Sequence, residues 1–91
     1  MLKDEYKIFF ARSTLRITVL NKLSQKPQIA TFLARDMKKH REVISRIFSD
    51  LQKEKLVECK NPKDPHFRYY GITTKGKRIL KEIKQDYQKS D

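Results

Sequence analysis

Five polar residues, Arg41, Glu42, Ser45, Arg46 and Ser49, recur at a spacing that sets them along one side of an α-helix. A row of guanidinium and hydroxyl groups offers donors to phosphate oxygens and base edges. Arginine can reach guanine with two parallel bonds, and serine can donate or accept. Lys38, Lys39 and His40 lead into the row and add polar, cationic side chains. Behind it, Val43, Ile44, Ile47, Phe48 and Leu51 form an apolar stripe, so residues 40–53 are expected as a helix with one face in a core and the other in water. An ordinary surface helix would show the same two faces, so the flanking sequence has to decide. Glu42 has two readings: with Lys39 as the cap residue it stands third in the helix and can reach back to a free backbone N–H, or it can accept from a cytosine amino group.

The rest of the chain limits what such a helix can serve. Ninety-one residues make a single domain, 1–91, with a small core. Twenty-two Lys and Arg against 11 Asp and Glu leave a formal charge of +11, a field that favours polyanions. Nucleic acid gains most, because each neutralised phosphate releases counterions. Cys59 is alone, which excludes an intrachain disulfide; it reads as a strand thiol, with a bridge between two subunits left open. His40 and His66 lie far apart in sequence and read as solvated side chains, and the spacings of zinc sites are absent. No metal or other cofactor is expected. Paired nucleophile and base are not recognisable, and with Gly71 and Gly76 the only glycines there is no glycine-rich phosphate loop, so the chain is not expected to be an enzyme. The apolar runs are short and no signal-peptide core opens the sequence, which reads as cytoplasmic without a membrane partner.

The elements that must position the polar row can be taken in order. Leu2, Tyr6, Phe9 and Phe10 fall at helical spacing over Leu2 to Ala11, with Asp4 and Glu5 in the first turn where the helix dipole favours them. That is a large apolar load for a short element, and sharing it with a second chain is the favoured reading. Ser13 is a candidate cap for the next helix, whose inward face is Leu15, Val19, Leu20 and Leu23 up to Pro27. Lys26 to Gln28 read as a polar turn, and Ile29, Leu33 and Met37 begin another helix of about ten residues by spacing. Only Lys38 to His40 separate it from the polar row, the connection of a helix-turn-helix. After Leu51, the residues Leu56 to Cys59 suit a strand, Asn61 to Pro65 a turn, and Phe67 to Ile72 a second strand with Tyr70 and Ile72 on one side. The hairpin tip carries Lys60, Lys63, His66 and Arg68. Thr73 caps a last helix whose stripe is Ile79, Leu80, Ile83 and Tyr87.

Helix, helix, turn, polar helix, strand, loop, strand, helix is the order of a winged helix-turn-helix. Over roughly Thr14 to Leu80 the chain resembles the MarR and ArsR-like branch of that superfamily, the small prokaryotic or archaeal transcriptional regulators. The likeness rests on FLARDM (32–37), on VISRIFSDLQKEKLVE (43–58) and on RYYGITTKG (68–76). It departs from the pattern at Lys38, where many relatives have Gly, and near His40, where many have Ser or Thr.

The resemblance implies a mostly α fold: a three-helix core, a two-stranded wing, a C-terminal helix and an extra N-terminal helix. It implies that Arg41, Glu42, Ser45, Arg46 and Ser49 face the major groove, and that the wing, 60–68, touches the minor groove or the backbone. The terminal helices, 1–12 and 74–89, would build a homodimer through Leu2, Tyr6, Phe9, Phe10, Leu80, Ile83 and Tyr87. Sequence-preferring binding of double-stranded DNA, with transcriptional regulation as its outcome, is then the leading expectation, and no small-molecule effector is expected. The alternatives are an architectural protein that coats DNA without preference and a winged-helix module that binds protein in a transcription or replication complex.

Overall fold

The computed structural model describes residues 2–88, with side chains through Asp86. Its elements are α1 (Asp4–Ala11), α2 (Thr14–Gln25), β1 (Gln28–Ile29), α3 (Ala30–Met37), α4 (Arg41–Lys53), β2 (Val57–Cys59), β3 (Tyr69–Ile72) and α5 (Thr74–Gln88). The helical stripes and the hairpin follow the apolar spacing in the sequence. β1 does not. Ile29, expected to open the helical stripe of α3, instead pairs with Tyr69, and Gln28 with Tyr70, which makes β3 the middle of a three-stranded antiparallel sheet ordered β1-β3-β2. Two residues after a proline carry no strand signal of their own; the partner strand creates this one.

On the other edge Val57 pairs with Ile72, Glu58 with Gly71 and Cys59 with Tyr70. Leu56 is fully buried but precedes β2, and Phe67 and Arg68, expected in the second strand, remain outside it. α2 does restart after a break: Ser13 is extended at its N-cap, yet its hydroxyl makes no capping bond.

One apolar core joins all five helices. α4 supplies Ile44, Ile47, Phe48 and Leu51, and α2 supplies Val19, Leu20 and Leu23. No buried polar or charged residue interrupts it among the described residues. Val43 is a correction to the expected stripe. It is 40% exposed, one position off the buried arc that Ile44, Ile47 and Leu51 define.

The terminal helices contribute to the same core. Leu2, Tyr6 and Phe10 of the N-terminal segment, and Leu80 and Ile83 of α5, are at most 6% exposed, and all five belong to the chain's own core. Their apolar surface is already spent within one chain, so little of it is left for a subunit interface. Phe9 is half-buried, set edge-on to Phe10 with ring centroids 5.0 Å apart. The side chain of Tyr87 and all of Lys89 lie outside the described residues. The large apolar side chain that α1 shows to solvent is Ile8, at 58% exposure.

The junction of hairpin and α5 explains the spacing of Thr73 and Gly76. The Thr73 hydroxyl accepts the Gly76 N–H at 2.9 Å, capping α5, and lies 2.8 Å from the carbonyl of Lys55 and 3.1 Å from that of Leu56. The Thr73 N–H also donates to Leu56 O, at 3.0 Å. A Cβ on Gly76 would stand 2.1 Å from that carbonyl oxygen and 2.7 Å from Ile72 Cγ1. Since the obstacle is backbone, Gly76→Ala is expected to destabilise the fold by about 3 kcal/mol, read as a lowered midpoint in urea unfolding. A stability within 1 kcal/mol of wild type, on the order of an ordinary helical substitution, would contradict the packing described.

Candidate nucleic-acid interface

The polar face of α4 is set by the two turns that flank it. α3 ends on Lys38 in the left-handed region, φ 56° and ψ 44°, and the Lys39 N–H then reaches Ala34 O at 2.9 Å. α4 ends in the same way, with Lys55 at φ 62° and the Leu56 N–H bonded to Leu51 O at 3.0 Å. Both bonds close the chain back onto the preceding helix, as a left-handed residue past a helix end allows. His40, not Lys39, is the N-cap of α4, and its side chain makes no capping bond. Glu42 is therefore the second helical residue and does not complete the expected reciprocal cap, although it lies in the first turn where the helix dipole favours a carboxylate.

With Ile44, Ile47, Phe48 and Leu51 turned into the core, the opposite side is left to water. Arg41, Glu42, Ser45, Arg46 and Ser49 are all exposed and line one open groove together with Asp50 and Lys53. Lys38, Lys39 and His40 are exposed at its entrance turn. The groove thus holds three cations, two acids and two hydroxyls on a single helix face, a mixture of charged and hydrogen-bonding groups suited to a polyanion with structured edges. Lys53 and Asp50 were not among the residues expected here. The signal for Lys53 was present, since it follows Ser49 by four residues and Arg46 by seven.

The hairpin loop is held by two side chains whose types, in sequence, mark only a turn. Asn61 donates from Nδ2 to Phe67 O at 2.8 Å and accepts the Tyr69 N–H at 2.7 Å. Asp64 accepts the N–H groups of His66 and Phe67 at 2.9 Å each, while Arg68 Nε donates to the Asp64 carbonyl at 3.0 Å. Asx side chains bonding to nearby backbone are the usual device of such turns. Lys63, His66 and Arg68 are exposed on this loop. Lys60 stands apart from them: its Nζ pairs with Glu58 Oε1 at 2.7 Å, and it lines a hollow with Lys55, Lys75 and Lys77 near the start of α5. The hairpin is joined to α4 through Tyr70 of β3, whose ring centroid lies 5.0 Å from that of Phe48.

No family model and no curated protein matches the sequence. Solved structures do match. A MarR family transcription regulator aligns with TM-score 0.70 and 28% identity, over 80% of this chain and 50% of its own. The chain has a MarR-like winged-helix fold. A mutant of MepR from S. aureus, bound to an oligodeoxyribonucleotide, is similar at TM-score 0.69 and 17% identity, over 81% of this chain and 56% of its own. ZitR from Lactococcus lactis is similar at TM-score 0.71 and 17% identity, over 94% and 67%. The chain spans about half the length of the first of these structures. In MarR-like terms α3 and α4 are the helix-turn-helix, and β2, β3 and their loop are the wing. No described helix is long and apolar enough to cross a membrane.

Two predictions concern the supports of this surface. Lys38→Gly relieves a left-handed side-chain-bearing residue and is expected to raise stability by about 1 kcal/mol, measured by thermal unfolding; a destabilised variant would refute the turn geometry. The N–H groups of Phe67 and His66 hold the Asp64 carboxyl below its ordinary 3.8, with the charges of His66 and Arg68 adding to the effect. Because the folded value is depressed, loop order supported by this group is present above the ordinary carboxylate range and is lost as pH falls through the lowered value. Asp64→Ala should remove hydrogen-exchange protection at the His66 and Phe67 amides while leaving that of α4 intact. Unchanged protection at those two amides would sink the assignment.

Proposed function

We propose that the chain binds double-stranded DNA with sequence preference as a homodimer and thereby regulates transcription, without a catalytic step and inside the cytoplasm. The observation that carries the reading is the open groove on α4, where Arg41, Ser45, Arg46, Ser49 and Lys53 share one exposed face of a rigid, core-anchored helix. A net charge of +11 supports a polyanionic partner, and a structure of the same fold is described as bound to an oligodeoxyribonucleotide. In this reading Lys38, Lys39, Arg41 and Lys63 hold phosphates, while Ser45 and Arg46 read base edges. Glu42 sits among them in the first turn. Two such helices enter successive major grooves when they stand about 34 Å apart.

Since Leu2, Tyr6, Phe10, Leu80 and Ile83 are spent in the core, a second copy would have to meet the outward surfaces of the terminal helices, Ile8 and the open side of Phe9 among them. An architectural role without sequence preference is the second reading, favoured by the charge alone.

Selection of bound fragments from random duplex DNA tests both. A preferred, palindromic site is expected for the regulator; uniform recovery would favour the architectural protein. On the selected site, Arg46→Ala should relax preference by roughly tenfold, whereas Lys63→Ala should weaken all sequences alike. With about five phosphates neutralised per subunit, affinity should fall with a log-log salt slope of about −9. Equal loss on all sequences for Arg46→Ala would contradict its role.

A further inference from the structure

Two acids of the α4 groove, Glu42 and Asp50, work against a polyanion. Asp50 lines the same surface as Arg46, Ser49 and Lys53, and an uncompensated carboxylate there would repel phosphate across a few ångströms. It is compensated from behind. Arg16 of α2 donates from Nη2 to Asp50 Oδ2 at 2.9 Å, with side-chain exposures of only 17% and 25%. Nη1 of the same guanidinium donates to the carbonyl of Phe9, and its Cζ lies over the Phe9 ring at 4.1 Å from the centroid. A single side chain therefore joins three elements: Phe9 in α1, its own helix α2, and the turn of α4 that carries Ser49 and Lys53. Only a flat, forked cation can stack on a ring and donate in two directions at once.

We propose that Arg16 is a positioning residue for duplex binding: it cancels the charge of Asp50 inside the groove and holds that turn of α4 against α1 and α2. The inference rests on the reading of α4 as the duplex-binding helix. Arg16 acts through Asp50. Its loss uncovers a carboxylate beside the phosphates and removes an anchor, and the first effect can be separated from the second by removing the carboxylate as well.

Arg16→Met keeps an apolar stem over Phe9 and loses the charge. Its affinity for the selected duplex at low salt is expected to fall about tenfold, and Arg16→Met/Asp50→Asn to return to within about threefold of wild type. Circular dichroism and thermal unfolding follow the fold independently. A double variant as weak as Arg16→Met would overturn the proposal, because a purely packing role would not respond to removal of the acid. An Arg16→Met variant that binds as tightly as wild type would overturn it while leaving duplex binding intact; a wild-type chain that binds no duplex at low salt would overturn both. If Arg16→Met does not fold, Arg16→Gln and Arg16→Gln/Asp50→Asn decide in the same way: a double variant that regains affinity supports the role, and one as weak as Arg16→Gln overturns it.

Discussion

Everything in this chain depends on how α4 is buried. A helix can commit about half its circumference to a core, and α4 commits Ile44, Ile47, Phe48 and Leu51. The consequence is geometric. Once those four side chains are packed, Arg41, Ser45, Arg46 and Ser49 have no direction left but outward, and they are held there with the rigidity of a close-packed interior. The same burial anchors the wing, because Phe48 meets the ring of Tyr70 on the middle strand. A surface meant to read another molecule needs such a backing, since loosely held side chains lose their ordering entropy at each contact.

The two ends of α4 are closed by lysines in a left-handed conformation, Lys38 and Lys55. Each costs about 1 kcal/mol or more relative to a glycine relieved of its Cβ. In return, at the first end the chain keeps a cation next to the exposed polar row. At the second end the strain leads into Leu56, whose carbonyl is the meeting point of Thr73 and Gly76. That junction sets where the hairpin leaves α4 and where α5 begins, so a threonine and a glycine three residues apart govern the placement of the wing.

Around this frame the terminal helices close the core of their own chain. The phenylalanine and tyrosine load of α1 completes the core of its own chain, and Arg16 links that helix to α4 through Phe9 and Asp50. In so small a domain a core needs every large side chain within reach. α1 thus supports the helix-turn-helix from below before it offers anything to a second subunit.

The sequence by itself determined the helices, the hairpin, the helix-turn-helix connection and the polar row of α4, because periodicities of 3.6 and 2 are local and survive without knowledge of partners. Lys53 was legible in the same way, by its spacing from Arg46 and Ser49. Only the tertiary structure decided that Ile29 is a strand residue, since a two-residue edge exists by virtue of Tyr69 and Tyr70 beside it. It also decided that Val43 faces water and that Leu2, Tyr6 and Phe10 turn inward. An apolar stripe announces that it will be covered but not by what. The pairing of Arg16 with Asp50, 34 positions apart, was beyond any pattern in the chain, because charges distant in sequence carry no mark of which partner the fold will bring within 2.9 Å.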